Sequence, residues 1–199
     1  MSNADQYKYE QAQGKKNKEA VNVAAIVKVT AFDAAKMTVN VQPLSKRLEQ
    51  GSYQSQPPIL SVPIAVTKGG GFVFRPWYSP GDVGVVLYID HDIDKAVADG
   101  SEGEPNTERN HSTSDAVFVG GIVPGNSPVS GIPSDAIAIG TADGSCYVAV
   151  KAGGIEIKGD ITLTGKMTAS DDVTASGISL MHHTHGGVQS GSGNTGQPQ

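Results

Sequence analysis

Short segments that alternate apolar and polar residues make up most of the chain up to residue 123. They are rich in β-branched residues and cover 21–33, 36–44, 59–66, 83–90 and 116–123. Turn-forming residues such as Pro57-Pro58 and Pro80-Gly81-Asp82 separate these segments. Alternation with a period of two predicts β-strands, and no convincing helical period lies between them. Five short strands within about 110 residues predict a small closed barrel or a sandwich.

Three stretches lack this alternation and divide the chain. Residues 1–20 are polar and predict a flexible N-terminal arm or a short frayed helix. Residues 98–115 form a polar loop of a length that usually marks a functional, mobile or partner-bound segment. Residues 124–133 are rich in Pro and Gly, which is typical of a domain boundary. We therefore expect a barrel domain over 21–130 and a different region after it.

A six-residue repeat follows two short alternating segments, 135–144 and 145–154. Each unit reads apolar–x–apolar–x–Gly/Asp–x, and three positions keep this register over four units. The first position holds Ile155, Ile161, Met167 and Val173, and the third holds Ile157, Leu163, Ala169 and Ala175. The fifth position holds Gly159, Gly165, Asp171 and Gly177. Units this short cannot bury a core alone, so they must stack in a solenoid or on other chains about an axis. The pattern favours an oligomer, and the alternative is an ordinary β-meander with a coincidental spacing.

The composition excludes several classes of protein. The 199 residues include 25 Gly, 38% are hydrophobic, 18% are charged, and the net charge is −5. These values do not fit a disordered polyelectrolyte, and an acidic balance argues against a nucleic-acid binder. A single cysteine, Cys146, excludes internal disulfides and multi-cysteine metal sites. The chain has no run of 18 apolar residues and no apolar signal region, so we expect synthesis in the cytosol without a signal peptide.

The C-terminal end combines histidines with an absence of charged side chains. The 27 residues from Val173 to Gln199 contain no Asp, Glu, Lys or Arg, and His182, His183 and His185 lie among them. In an extended strand His183 and His185 share one face and form part of a metal site. Three copies on a three-fold axis would supply six nitrogens, which suits iron, cobalt or nickel. The alternative is a solvated tail.

The C-terminal sequence MHHTHGGVQSGSGNTGQPQ resembles the apex of the central membrane-piercing spike of contractile-tail phages, the baseplate assembly protein V type. The resemblance extends over the whole chain, and residues 21–123 resemble the N-terminal oligosaccharide/oligonucleotide-binding-type barrel of those spikes. Its motifs there are Val41-Gln42-Pro43, Leu60-Ser61-Val62-Pro63, Pro80-Gly81-Asp82-Val83-Gly84, Asp90-His91-Asp92-Ile93-Asp94, Arg109-Asn110-His111 and Ser114-Asp115-Ala116. The tip motif His-Thr-His-Gly-Gly is strongly specific after a β repeat, and the barrel motifs are moderately specific.

This resemblance implies an all-β chain with an N-terminal OB-fold barrel over 21–130. It also implies an intertwined trimeric β-helix over 131–181 and an apex over 182–199. The expected assembly is a homotrimer that binds one iron ion on its three-fold axis through His183 and His185 of each chain, with His182 as an alternative register. Another first-row divalent metal remains an option for this site.

The same resemblance implies a structural virion protein, with no catalytic residues, that is assembled in the host cytoplasm. Its barrel collar would dock on the tail hub, and its tip would puncture the host outer membrane. No nucleic acid or small-molecule substrate is expected. A charged side chain at a membrane centre costs about 2.5–3.5 kcal/mol, so a tip without charges suits this task.

Two other functions suit parts of the pattern. The hexads are also found in β-helix acyltransferases, but four hexads make little more than one three-sided coil. Residues 134–180 also contain no histidine for acyl transfer. A receptor-binding tail module would need an aromatic-lined groove, and Tyr147 is the only aromatic residue in this range.

Two local patterns that imitate functional sites have simpler interpretations. Asp90-x-Asp92-x-Asp94 begins like a calcium loop, but Lys95 and Ser101 replace the required Gly and Glu, which favours a solvated loop or an ion-paired turn. His111, Ser112 and Asp115 are too close in sequence for a catalytic triad and predict a capped loop end.

Hydrophobic residues near the middle of the chain are expected to be buried. The aromatic group Phe72, Phe74, Trp77 and Tyr78 predicts barrel core rather than a surface that stacks on nucleotides. Cys146, in an alternating segment, predicts a buried small side chain.

Overall fold

The computed structural model describes residues 5–11, 14, 21–184, 186–187 and 191. The chain divides into two compact units, Met1–Val129 and Ser130–Gln199. Residues 5–11 are helical (α1). The remaining elements of the first unit are β1 (Ala24–Asp33), β2 (Thr38–Pro43), β3 (Arg47–Glu49), β4 (Ser52–Gln54), β5 (Ile59–Pro63), β6 (Thr67–Gly69), β7 (Phe72–Phe74), β8 (Val83–Tyr88), α2 (Asp94–Asp99), a 3-10 helix (Thr113–Asp115) and β9 (Ala116–Ile122).

A curled antiparallel sheet of five strands organises the first unit. Its strand order is β5-β2-β1-β8-β9. The two edges approach each other at a parallel bridge between Ile64 and Phe118, where the Ala65 N–H donates to the Phe118 carbonyl oxygen at 2.8 Å. Irregular register between Val85 and Val86 and between Val29 and Ala31 supplies bulges, which increase the local twist and help the sheet to curl.

Alternate residues of the sheet strands build the core on the inner face. Val27 and Val29 of β1 and Val39 and Val41 of β2 are at most 1% exposed. Their neighbours along each strand point the other way, as a period of two requires. Phe118 of β9 is fully buried, and Tyr78 packs edge-on against it with ring centroids 4.9 Å apart. The five predicted barrel strands are therefore present, and the expected all-β class is confirmed.

The prediction that the aromatic group 72–78 forms barrel core is wrong for three of its four members. Phe72, Phe74 and Trp77 are 82, 53 and 70% exposed, and Tyr78 alone packs against the core. Strands β6 and β7 pair only with each other, in a hairpin separate from the five-stranded sheet. A hairpin outside the sheet has no second layer to cover it, so its aromatic side chains stay in solvent.

The second unit contains two small antiparallel sheets. Strands β10 (Ile137–Gly140), β11 (Tyr147–Lys151) and β12 (Gly154–Lys158) form one sheet in that order. Strands β13 (Thr174–Ala175) and β14 (Ile178–Ser179) form a hairpin. Residues 159–173 form no strand. The trimeric β-helix expected over 131–181 is a property of three chains and stays a prediction.

Two further observations concern the predicted burial and membrane topology. Cys146 is exposed because it precedes β11 in a turn, so the prediction of a buried cysteine is wrong. Over the described ranges, no helix has the length and apolar character that crossing a membrane requires.

Candidate functional site

The sheet β10-β11-β12 has one face made entirely of β-branched apolar side chains. Cross-strand pairing aligns them in two rows, because Val150 lies between Ile137 and Ile155, and Val148 lies between Ile139 and Ile157. All six side chains are exposed, from 45% for Val148 to 81% for Ile137. Water normally meets the polar face of such a sheet, and an exposed apolar face of this kind is typical of an interaction surface.

The opposite face of the same sheet is polar and internally paired. Glu156 accepts a hydrogen bond from the Tyr147 hydroxyl and forms an ion pair with Lys151 at 2.7 Å. Lys151 and Tyr147 lower the pKa of Glu156, and Glu156 in turn raises the pKa of both partners. Lys158 lies 5.7 Å from the centre of the Tyr147 ring. The charged face is therefore satisfied within one chain, whereas the apolar face is not.

Exposed apolar side chains also occupy the hexad repeat. Ile155 and Ile157 open the repeat and belong to the apolar face of the sheet. Further along, Ile161, Leu163 and Met167 are 68, 57 and 72% exposed. Gly159 and Gly165, at the fifth position of successive units, have φ values of 118° and 133°. Such backbone angles are rarely open to other residues, which explains the glycines of the repeat.

The tip begins with the hairpin β13–β14, which turns through Ser176 and Gly177 at φ 50° and 82°. Two positive φ angles in succession are typical of a type I′ turn. The hairpin leads into a turn at Met181 and His182 and an irregular segment at His183 and Thr184. The extended strand that would place His183 and His185 on one face is thus not formed up to Thr184. His185 lies outside the described residues, so the paired geometry stays a prediction.

His183 is exposed, and its ring orientation is defined by backbone oxygens. Its Nδ1 lies 2.9 Å from the Ser179 carbonyl oxygen and 3.1 Å from the Leu180 carbonyl oxygen. Carbonyl oxygens only accept hydrogen bonds, so Nδ1 carries a hydrogen. Metal-binding histidines in proteins usually donate their other ring N–H in this way. This side chain therefore fits the metal ligand that was expected at the tip.

A second cluster of possible metal ligands lies in the barrel unit. Among the described residues, the carboxylates of Asp92, Asp94 and Asp115 form a group of metal-ligating type. Arg109 lies among them and forms ion pairs at 3.2, 3.1 and 2.9 Å with Asp92, Asp94 and Asp115. A guanidinium in this position supplies the positive charge that a cation would otherwise bring. The ion-paired turn predicted for 90–94 is confirmed.

His111, Ser112 and Asp115, which resemble a catalytic triad in sequence, form a capped loop end, as predicted. Ser112 precedes the 3-10 helix, and its hydroxyl oxygen accepts the N–H of Ser114. Asp115 binds Arg109 and accepts the Ile93 N–H at 3.1 Å instead of orienting His111. These residues position the loop and do not form a nucleophile–base pair.

Two family models match the chain, one in each unit. Residues 26–121 match the Phage protein Gp138 N-terminal domain, and residues 177–199 match the GpV Apex motif. The first range covers just under half of the chain, and both models describe features of phage baseplate central spikes. This confirms the resemblance seen in the sequence. No curated protein matches the chain.

The two matches cover different parts of the chain and leave the sheet β10-β11-β12 unmatched. The Gp138 match covers nearly all of the curled sheet, and the Apex match begins at Gly177 and includes His183 and His185. The apolar face of β10-β11-β12 lies between the two matched ranges. The sequence predicted the hexads, but it did not predict that Ile137 and Ile139 lie on the same sheet face as Ile155 and Ile157. Their alternation was visible in the sequence, whereas their partners depended on the strand register.

Proposed function

We propose that this phage baseplate protein is the non-enzymatic subunit of a homotrimeric central spike, which punctures the host outer membrane when the tail contracts. The single observation that carries the proposal is the exposed apolar face of β10-β11-β12, together with the exposed apolar side chains of the hexads. Three chains that turn these faces toward a common axis would bury them. Burying one such side chain contributes about 1.5–3 kcal/mol, so a face of six is a strong driving force for association.

The tip is proposed to hold one iron ion per trimer through His183 and His185 of each chain. When bound, a six-coordinate ion cross-links three chains where a narrow end has no room for a hydrophobic core. His183 supports this role because its Nδ1 faces the backbone oxygens of Ser179 and Leu180, an arrangement typical of metal-binding histidines. We further propose that the first unit, the barrel, docks on the tail hub.

Light scattering on the untagged chain tests the assembly. A trimer is expected, and Ile155→Asp should reduce it to monomers because a carboxylate would enter the buried face. Val97→Asp is the matched control, since Val97 is 56% exposed on α2 of the first unit. A monomeric wild-type chain, or an Ile155→Asp variant that stays trimeric, would contradict the proposed interface.

Elemental analysis of the same sample tests the metal. About one transition-metal ion for three chains is expected from the ligand count. The double variant His183→Ala/His185→Ala should lose the metal while the barrel unit stays folded. Stoichiometric metal retained in this double variant would rule out the assigned ligands.

A charge placed in the tip hairpin tests the puncturing step. Ser176 has a left-handed backbone conformation that Asp and Asn both tolerate, so Ser176→Asp adds a charge with little backbone strain. Ser176→Asn is the control of the same shape without the charge. In assembled phage, Ser176→Asp should reduce infection, and Ser176→Asn should not. Equal infection by both variants would argue against membrane entry by this tip.

A further inference from the structure

The carboxylate of Asp172 and the hydroxyl of Ser179 lie next to the segment that contains His182 and His183. Asp172, Val173 and Ser179 are half-buried, whereas residues 174–178 between them are exposed. The Asp172 Oδ1 accepts the Met181 N–H at 3.0 Å, and the Ser179 hydroxyl lowers the pKa of the Asp172 carboxyl. The Leu180 N–H donates to the Val173 carbonyl oxygen at 2.8 Å. These two contacts hold both ends of the loop from Asp172 to Met181 together.

The same serine connects this loop to both neighbouring histidines. Its Oγ accepts the His182 N–H at 2.8 Å. Its carbonyl oxygen faces the Nδ1 of His183 at 2.9 Å, beside the Leu180 carbonyl oxygen. The position of the His183 ring therefore depends on the loop that Asp172 holds.

We propose that Asp172 and Ser179 are positioning residues for the tip ligand: they keep a hydrogen of His183 on Nδ1, where it faces the carbonyl oxygens of Ser179 and Leu180. The metal part of this inference rests on the proposed function, whereas the tautomer does not. Partners of this kind behind a ligand typically change metal affinity by about 10–100-fold when they are removed.

The position of Asp172 in the sequence agrees with this role. Asp172 is the last charged residue of the chain, and the next 27 residues contain none. The Asp172 carboxylate accepts the N–H of Met181 and so faces the loop, whereas the carboxylate of the neighbouring Asp171 is exposed.

NMR of the full chain labelled with ¹⁵N-histidine tests the inference without metal. The long-range ¹H–¹⁵N pattern of His183 should show the Nδ1–H tautomer in the wild type. Asp172→Ala should produce a mixture of tautomers, and Asp172→Asn should restore the wild-type pattern, because its side-chain oxygen still accepts the same hydrogen bonds. Asp160→Ala is the matched control, since Asp160 is an exposed carboxylate of the same unit outside this loop.

Iron(II) titration against a competing chelator gives the second measurement. Asp172→Ala should weaken iron binding by about 10–100-fold, with Asp172→Asn and Asp160→Ala close to wild type. Ser179→Ala, which keeps the carbonyl oxygen but lacks the hydroxyl, replaces Asp172→Ala if that variant does not fold. An unchanged His183 tautomer in both Asp172→Ala and Ser179→Ala would overturn the inference. A wild-type chain that binds no iron, but whose tautomer responds to Asp172→Ala, would overturn the metal site alone.

Discussion

Arg109 binds the buried carboxylate of Asp115 through two parallel hydrogen bonds, from Nε to Oδ2 at 3.0 Å and from Nη2 to Oδ1 at 2.9 Å. The pair joins the end of the long polar loop to the start of β9. Asp92, whose side chain is 1% exposed, shares the same guanidinium. One arginine thus neutralises two carboxylates that have almost no contact with water, and the carboxylates raise its pKa.

Removing this guanidinium should destabilise the barrel unit. Arg109→Leu leaves the carboxylates of Asp92 and Asp115 buried without a positive partner, which is a costly arrangement. Asp94→Asn changes the exposed partner of the same arginine and should cost no more than about 1 kcal/mol. Chemical denaturation measures both. Equal losses of unfolding free energy would show that the buried carboxylates do not depend on Arg109.

A methyl group at Gly84 should also destabilise the barrel. An added Cβ would lie 2.3 Å from the Phe118 ring and 2.4 Å from the Gly120 carbonyl oxygen. Overpacking of this kind typically costs about 1–3 kcal/mol, so Gly84→Ala should lower the free energy of unfolding by that amount. Gly121→Ala on the adjacent strand is the control, because its Cβ would meet its nearest neighbour at 3.6 Å. A Gly84→Ala variant as stable as Gly121→Ala would contradict the packing.

Two phenylalanines should respond very differently to truncation. Phe118 is fully buried, so Phe118→Ala should cost about 3–5 kcal/mol. Phe72 is 82% exposed in the outer hairpin, so Phe72→Ser should change the unfolding free energy by no more than about 0.5 kcal/mol. Denaturant titration separates the two values. A large loss from Phe72→Ser would restore the sequence-based prediction of a core position.

Asp143 should make the second unit sensitive to acid. The backbone N–H of Ser145, followed by the hydroxyls of Thr141 and Ser145, lowers the pKa of Asp143 from 3.8 to about 2. A group with a lowered pKa in the folded state contributes stability that is complete above its unfolded value and is lost as the pH falls through the folded value. The stability of this unit should therefore decline between pH 3.8 and about 2.

Asp143→Asn is the test of this assignment. The amide still accepts hydrogen bonds but does not titrate, so the variant should lose part of the pH dependence in that window. Carbon-detected NMR of the Asp143 carboxyl measures the pKa directly in the wild type. A midpoint at the ordinary value for aspartate would remove the proposed origin of the acid sensitivity.

The barrel strands could be predicted from the sequence because their signal is local. In β1 and β2, alternate valines are buried, and a period of two records this burial directly along the chain. The glycines of the hexads are visible for the same reason, since Gly159 and Gly165 each satisfy a backbone angle at their own position. The tip motif was also readable, and the GpV Apex match confirms its family.

Contacts between distant residues were decided by the tertiary structure. The partners of Arg109 lie 17 and 6 residues away, on both sides of a loop without a periodic signal. The exposure of Phe72 depended on its hairpin lying outside the sheet, although its composition was that of a core strand. The contact of Asp172 with Met181 likewise required the intervening hairpin to turn at Ser176 and Gly177.

The sequence by itself determined the five strands of the curled sheet, the glycine positions of the repeat and the family that the tip resembles. The tertiary structure decided which faces those strands combine, as in the row formed by Ile137, Val150 and Ile155. The physical reason is that alternation specifies the two faces of one strand, whereas register between strands specifies the surface that several strands share. That shared surface, apolar and exposed, is what links this chain to the proposed trimer.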